Sequence, residues 1–362
     1  YTLPANRYSA SRNYAVVTKA PITISAAKMY DGNTNMTGFV TILTGVTVSG
    51  VTETLSYSGA VASDRNVATP NKYLSSLTIN DSTDGSGGRV SNYIVPTLSA
   101  ATAPVTLTSA PLLATGIKIY DGLLTFPGDR LTVVGLNGDT FTAAGTALML
   151  TKNVQTASPV SNTTDLAFTP VGSAQLSNYS GLSAADVSVT VTALPVTLVA
   201  PTVNKVYDGG YTYAMTTSDL SSLSSQLLRG DSVTRAEVIF AGSNPNVGIN
   251  KTVDLVSATI SDGNNGGNYS VTLASSSTST ITRAPLMVTA VSDAKFVMQT
   301  DAQGYANNCG TNTTCQGNYL GVTYSGFVNG ENAMTAVDTL GTVVRSNSTQ
   351  NSVGTYAGVL VP

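Results

Sequence analysis

The feature that most constrains the fold of this 362-residue chain is a pattern, Lys-x-Tyr-Asp-Gly, that recurs about every 90 residues. It occurs as KMYDG at 28–32, KIYDG at 118–122 and KVYDG at 205–209. An Asn-Tyr pair and a proline segment recur with the same order and spacing. The pairs are Asn13-Tyr14, Asn92-Tyr93, Asn178-Tyr179 and Asn268-Tyr269, and the proline segments are KAPITI (19–24), SAPLLA (109–114), ALPVTL (193–198) and RAPLMV (283–288). Three markers with one period predict a tandem array.

The landmarks place four repeats along the chain. We predict that repeat 1 covers 20–108, repeat 2 covers 109–192, repeat 3 covers 193–282 and repeat 4 covers 283–362. Residues 1–19 would be the end of a preceding repeat. Repeat 4 stops before a closing Asn-Tyr strand, so we expect it to be incomplete and both ends to continue in a longer protein.

Within each repeat the hydrophobic pattern is that of β-strands. In DVSVTVTA, Val187, Val189 and Val191 alternate with Ser and Thr, which is the period-2 signature of a half-buried strand. Segments rich in Gly, Asn and Asp separate these runs and predict turns. The segment 218–228 is the one plausible helical turn. We therefore predict an all-β chain made of small Ig-like β-sandwich domains, with a β-grasp-type module as the alternative.

Composition excludes several classes of function. The chain has no His, so it has no Ser-His-Asp or Cys-His catalytic system and lacks the commonest zinc ligand. Its net charge is −3 and it has no basic cluster, which argues against nucleic-acid binding. No apolar run is long enough to span a membrane. Glycosidase chemistry needs only two carboxylates, but Glu occurs only at 53, 237 and 331, in different repeats, and the chain has no Trp to stack a sugar. We therefore expect no enzyme, no cofactor and no catalytic residue.

The pentapeptide itself is open to three interpretations: a structural corner, a ligand site, or a Lys-Asn or Lys-Asp isopeptide crosslink. We favour the corner, in which Gly adopts a positive φ and Asp bonds the backbone beyond it. The Tyr ring would pack at the end of the sandwich with its hydroxyl near water, and the Lys stem would lie along the ring. The candidate residues are Lys28, Tyr30, Asp31, Gly32, Lys118, Tyr120, Asp121, Gly122, Lys205, Tyr207, Asp208 and Gly209.

Together these motifs resemble the YDG-type repeats of large bacterial filamentous-haemagglutinin-like adhesins, which are exported by two-partner secretion. Repeat 3 has the family's order of motifs: KVYDGG (205–210), then a Gly-Asp-x-Val strand, an Asn-Val-Gly…Lys turn and a Gly-Asn-Tyr strand within 229–272. Repeat 1 keeps NVATPNK (66–72) and repeat 2 keeps GDTFT (138–142). Repeat 4 resembles the related MBG repeat through YSGFVNGE (324–331).

The resemblance implies an extracellular protein at the bacterial surface, whose repeats form a stalk that mediates attachment or biofilm cohesion. The partners would then be other repeats of the same chain. Two alternatives remain open: copies of the chain assemble into a filament, or repeat 2 or the loop of repeat 4 binds a cell-surface or matrix glycan or protein. For a secreted chain, Cys309 and Cys315 of that loop are expected to form a disulfide.

Aspartate- and glycine-rich segments at 80–88 and 261–267 resemble calcium loops superficially. Neither supplies the bidentate Glu that an EF-hand loop requires at its twelfth position. We therefore expect both to be hairpin turns without a metal ion, although a weak calcium site of another kind stays an open alternative.

Overall fold

The computed structural model describes residues 16–292, 294, 297, 321–341 and 343–362. The described chain is built mainly from β-strands, which confirms the predicted all-β fold. It divides into two compact units, Tyr1–Thr192 and Ala193–Pro362, and the division falls where repeat 3 is predicted to begin. Among the described residues, no helix is long and apolar enough to cross a membrane.

Repeat 1 distributes its strands over several small sheets. The strands are β1 (Ala20–Pro21), β2 (Thr23–Met29), β3 (Val40–Leu43), β4 (Thr47–Val48), β5 (Val51–Thr52), β6 (Ser56–Ala62), β7 (Leu74–Asn80), β8 (Tyr93–Ile94) and β9 (Val105–Thr108). They pair as β3-β2-β9, β1-β8, β4-β5 and β6-β7. Buried side chains from β2, β6, β7, β8 and β9 form one hydrophobic core, so the sheets enclose it together.

Repeat 2 forms one eight-stranded sheet in the order β11-β14-β15-β17-β10-β12-β13-β16. Its strands are β10 (Leu113–Ile119), β11 (Thr125–Pro127), β12 (Leu131–Val134), β13 (Thr140–Ala144), β14 (Thr146–Met149), β15 (Gln155–Asn162), β16 (Ala167–Pro170) and β17 (Val187–Thr192). On β17, Val187, Val189 and Val191 are each at most 1% exposed. The predicted alternation of this strand is therefore confirmed.

Repeat 3 has two sheets and a helix. Its elements are β18 (Leu194–Val199), β19 (Asn204–Val206), β20 (Thr212–Tyr213), α1 (Thr217–Ser224), β21 (Ser232–Phe240), β22 (Gly248–Ser261), β23 (Tyr269–Ala274) and β24 (Ser276–Thr282). The sheets are β18-β23 and β19-β24-β22-β21-β20. The helix lies in the segment predicted to be helical, and a capping box between Thr216 and Asp219 fixes its start.

The described part of repeat 4 contains two strand pairs, β25 (Met287–Ala290) with β26 (Val322–Ser325) and β27 (Val344–Arg345) with β28 (Leu360–Val361). A short helix, α2 (Ala333–Ala336), lies between them and was not predicted from the sequence. Brief 3-10 turns occur in the other repeats, at Val90–Asn92, Gly128–Arg130, Leu176–Asn178, Ala184–Asp186 and Ala241–Ser243.

The first strand of each of the first three repeats is parallel to the strands that close the repeat. β1 pairs with β8 and β2 with β9 in repeat 1. β10 pairs with β17 in repeat 2. In repeat 3, β18 pairs with β23 and β19 with β24. In repeats 1 and 3 the opening segment consists of two strands with different parallel partners. In all three repeats the opening strand that pairs with the last strand ends within the Lys-x-Tyr-Asp-Gly pattern.

One glycine shows how tightly repeat 2 is packed. A Cβ atom on Gly116, in β10, would lie 2.6 Å from the Phe126 ring and 2.8 Å from the Arg130 carbonyl oxygen. Gly116→Ala should therefore destabilise repeat 2 by about 1–3 kcal/mol, because the sheet and the ring must move apart. Hydrogen exchange of the β10 and β17 amides measures this. Gly181→Ala is the control, since nothing lies within 4 Å of its Cβ position; equal effects of the two substitutions would contradict the packing argument.

Candidate functional site: the Lys-x-Tyr-Asp-Gly corners

The alternation of side chains along the strand places the lysine of each corner on the inward face. On β2, Ile24, Ala26 and Lys28 are buried while the residues between them are exposed. Lys28 and Lys118 are only 7% and 4% exposed. Isolated buried ammonium groups are strongly unfavourable, so each must find oxygen partners.

The lysine finds these partners in the turn that follows it, and the arrangement is the same in all three corners. The ammonium donates to the carboxylate three residues on and to the carbonyl oxygens five and seven residues on. The distances, in that order, are 2.7, 3.1 and 2.7 Å from Lys28, 2.7, 3.1 and 2.8 Å from Lys118, and 2.7, 2.7 and 2.9 Å from Lys205. The side chain of the lysine closes the turn, so the corner is a clamped loop.

The aspartate and the glycine shape the same turn. The carboxylate of Asp accepts a second bond, from the backbone N–H two residues on, at 3.2 Å for Asp31 and 2.9 Å for both Asp121 and Asp208. This is an Asx-turn. Gly32, Gly122 and Gly209 follow with φ of 81°, 77° and 75°. The predicted roles of Asp and Gly therefore agree with the observed geometry.

The ion pair keeps its positive end inside and its negative end at the surface. The Lys28 side chain is 2% exposed and that of Asp31 is 41% exposed. Burial raises the pKa of Asp31, but hydrogen bonds from Lys28 and from the Asn33 N–H outweigh it, so the net pKa is lowered. For Asp208 the bond from Lys205 is the main cause of a lowered pKa.

The tyrosine is placed differently from the sequence-based expectation. Tyr30 and Tyr120 are 4% and 1% exposed, so the prediction that the hydroxyl stays near water is wrong for these two. Tyr207 is half-buried. In every corner the tyrosine N–H donates at 2.8 Å to a threonine carbonyl at the end of the closing strand, namely Thr108, Thr192 or Thr282. The corner is thereby fixed to the last residue of its own repeat.

The two other landmarks are neighbours in space. In each of the first three repeats, the residue before the opening proline pairs with the tyrosine of the Asn-Tyr pair: Ala20 with Tyr93, Ala110 with Tyr179 and Leu194 with Tyr269. The recurring proline and Asn-Tyr pair are therefore two sides of one parallel strand contact, which explains their constant order.

Each of these tyrosines also bonds an acidic residue that the sequence analysis did not single out. Tyr179 donates to Asp139 at 2.7 Å and Tyr269 donates to Asp231 at 2.6 Å. In repeat 1, Tyr93 donates to Glu53. Burial and the bond to Asp139 raise the pKa of Tyr179. The sequence contained a signal for two of these acidic partners, because Asp139 and Asp231 each follow a glycine in the Gly-Asp pattern that precedes a strand.

The corner of repeat 1 contacts repeat 2 directly. Asn137 donates through Nδ2 to the Asp31 carbonyl oxygen at 2.6 Å. A Cβ atom on Gly32 would lie only 1.9 Å from the same nitrogen. Asn137 and Gly138 both have positive φ, as expected for an Asn-Gly turn between two strands. The glycine of the corner is thus needed for the contact between repeats as well as for its own backbone conformation.

Asn178 adds two hydrogen bonds to this contact. Its Oδ1 accepts from the Val67 N–H at 2.8 Å, and its Nδ2 donates to Asn66 Oδ1 at 3.0 Å. The rings of Tyr30 and Tyr179 meet edge-to-face with centroids 5.4 Å apart. We call this set of contacts between a corner and the next repeat the repeat joint.

Repeats 3 and 4 make a related joint. A Cβ atom on Gly209 would lie 2.4 Å from Cβ of Asn329, which again belongs to an Asn-Gly turn with positive φ. Tyr207 donates its hydroxyl to Glu331 Oε1 at 2.5 Å, and this bond is the main cause of its raised pKa. Corner and Asn-Gly turn therefore meet between repeats 1 and 2 and again between repeats 3 and 4.

The two segments that resembled calcium loops form hydrogen-bonded turns. Asp262 accepts N–H bonds from Asn264 and Gly266 on Oδ1 and from Asn268 on Oδ2, at 2.7, 2.9 and 3.0 Å. Asp84 accepts from Ser86 N at 2.9 Å and from Thr54 at 2.6 Å. Within the described ranges, no group of three or more acidic or cysteine side chains is placed to hold a metal ion. Cys309 and Cys315 lie outside the described residues, so their disulfide stays a prediction.

The third corner, α1 and the Tyr269–Asp231 bond all lie in one segment that is similar to a known family. Residues 192–280 match the YDG domain family. No curated protein and no solved structure gives a match. The resemblance to a YDG-type repeat is thus confirmed for this segment, whereas the relation to filamentous-haemagglutinin-like adhesins and the MBG resemblance of repeat 4 stay predictions.

The clamp of the first corner can be tested by substitution. Lys28→Met removes the ammonium donor of the turn carbonyls and of Asp31, although the exposed Asp31 carboxylate keeps its bond from the Asn33 N–H and can turn to water. We expect a loss of about 1–3 kcal/mol in the free energy of unfolding of repeat 1, measured by denaturant titration with hydrogen exchange. Lys19→Met removes an exposed lysine of the same chain and should change stability by less than about 0.5 kcal/mol. Equal losses would show that the clamp contributes nothing.

The acid stability of repeat 3 should depend on Asp262. Burial raises the pKa of this carboxyl, but the N–H donors of Gly266, Asn264 and Asn268 outweigh it and keep the pKa below 3.8. Its contribution is therefore complete above its unfolded pKa and is lost as pH falls through the lower folded pKa. Asp262→Asn should flatten the stability of repeat 3 between about pH 5 and pH 2. Asp165→Asn, at an exposed site, serves as control. If the stability of Asp262→Asn fell with decreasing pH as steeply as that of the unsubstituted protein, this role of Asp262 would be refuted.

Proposed function

We propose that this array is a spacer segment of a large secreted bacterial surface adhesin of the filamentous-haemagglutinin-like class, which supports attachment or biofilm cohesion. The observation that carries the proposal is the repeat joint. It gives repeats 1 and 2, and repeats 3 and 4, specific contacts through a motif that occurs three times in the sequence, as a load-transmitting spacer requires. The proposal includes no catalytic role and no cofactor.

The short connection between repeats supports the same function. β9 ends at Thr108, and Ala110 already pairs with Tyr179 of repeat 2, so Ser109 alone separates the last strand of one repeat from the first pairing of the next. A flexible linker would need many more residues to let two domains reorient freely. The joint and the connection together restrict the motion of repeat 1 against repeat 2.

A reach measurement tests the spacer function. One, two or three copies of the chain are placed between a bacterial membrane anchor and a fluorescent tip, and the height of the tip above the cell is measured. A stiff spacer raises the height in proportion to copy number, whereas a Gly-Ser linker of equal length follows roughly the square root. Square-root scaling of the chain itself would contradict the proposal. Binding of the soluble chain to cells or glycans would favour the ligand-binding alternative, and polymerisation the filament alternative.

The repeat joint makes its own prediction. Gly32→Ala introduces both a strained backbone, at φ 81°, and a clash with Asn137, whereas Gly38→Ala introduces only the strain, at φ 87°, because nothing lies within 4 Å of its Cβ position. The Val67 N–H reports directly on the joint through its bond to Asn178. We expect Gly32→Ala to speed hydrogen exchange at Val67 about ten-fold or more, and Gly38→Ala to leave it nearly unchanged. Equal exchange in both variants would show that Gly32 is not part of the joint.

A further inference from the structure

The direction of the chain through each repeat determines how the repeat would respond to tension. β10 and β17 are parallel and pair in register from Ala114 with Val187 to Ile119 with Thr192. The chain enters repeat 2 at the start of β10 and leaves it at the end of β17. Because the two strands run the same way, these points lie at opposite ends of one ladder. Tension along the chain therefore slides the strands past each other and loads all of their hydrogen bonds together.

Repeats 1 and 3 have the same geometry. In repeat 1 the parallel pairing of β2 and β9 runs from Ala26 with Val105 to Met29 with Thr108. In repeat 3 it consists of the β18–β23 ladder followed by the β19–β24 ladder. An antiparallel hairpin such as β21–β22, pulled apart at one end, would instead lose its hydrogen bonds one after another.

The corner stands at the far end of the loaded strand in each of the first three repeats. Its tyrosine N–H makes the last backbone bond to the closing strand, at 2.8 Å. Its lysine binds the carbonyl oxygens of the turn beyond. To slip by one residue, β10 would have to move buried Lys118 and Tyr120 out of the core and bring Ile117 and Ile119, 65% and 53% exposed, inward. The clamped turn would have to open at the same time.

We infer that the Lys-x-Tyr-Asp-Gly corner is a mechanical anchor that keeps the tension-bearing first strand from slipping. This inference rests on the proposed spacer function, since it names the load that the same motif resists. The corners of repeats 1 and 3 thus have two partners each, the closing strand of their own repeat and the Asn-Gly turn of the next repeat. Tension reaches the corner through the closing strand.

Force spectroscopy on the full chain, held at its two ends, tests the inference. Lys205→Met removes the anchor of repeat 3. Lys251→Met is a matched control, because its ammonium also binds a turn carbonyl, at 2.7 Å, and lies 5.8 Å from the same Phe240 ring as that of Lys205, at 5.9 Å. At constant force, Lys205→Met should raise the unfolding rate of one repeat at least ten-fold, and Lys251→Met by no more than two-fold. Equal effects of the two substitutions would overturn the inference.

A second test leaves every corner residue unchanged and varies only the two points at which the chain is pulled. Handles at Ser232 and Ser261, which face each other across the β21–β22 ladder, should unzip repeat 3 at a much lower force than handles at the chain ends. Similar forces in both directions would overturn the inference. The reach measurement is independent of this result, because a chain can be a stiff spacer and yet yield at low force.

Discussion

The interaction on which this architecture depends is the set of hydrogen bonds between a lysine ammonium, buried at the end of a strand, and the turn that follows it. Placing a charge where a strand's inward face requires an apolar side chain is unfavourable unless it is fully hydrogen-bonded. Lys28, Lys118 and Lys205 meet this requirement within eight residues of sequence, by folding the following turn around the charge. The turn is therefore specified by its need to solvate the lysine, and Asp and Gly supply the backbone geometry that makes this possible.

One consequence is that the outer surface of the turn has a defined shape. Since the corner's carbonyl groups point inward to the lysine, the glycine is left facing outward with no side chain. In the corners of repeats 1 and 3 an asparagine of the next repeat, Asn137 or Asn329, occupies that space. The two joints differ in detail: Tyr30 packs against the ring of Tyr179, whereas Tyr207 bonds Glu331. The same corner can thus accept different following repeats, as a tandem array of unequal domains requires.

The sequence predicted the parts of this structure that depend on local periodicity and turn chemistry. It predicted the alternation in β17, the helix α1 and the geometry of Asp and Gly in the corners. The contacts of Asn178 with Val67 and of Tyr179 with Asp139 were not, because they join residues 111 and 40 positions apart. Period alone also could not decide that the tyrosine is buried. That depends on contacts far along the chain, such as the edge-to-face contact of the Tyr30 ring with Tyr179 and the position of the Lys152 ammonium over the Tyr120 ring.

Burial of the lysine, contact with the next repeat and attachment to the closing strand are coupled through a single backbone turn. If the lysine left its carbonyl partners, the turn would lose the shape that the Asn-Gly turn recognises, and the tyrosine N–H would lose its fixed position beside the closing threonine. A change in any one of these three contacts therefore weakens the other two. This coupling gives a physical reason why Lys, Tyr, Asp and Gly recur as one unit while the surrounding strands of the repeats differ widely in sequence.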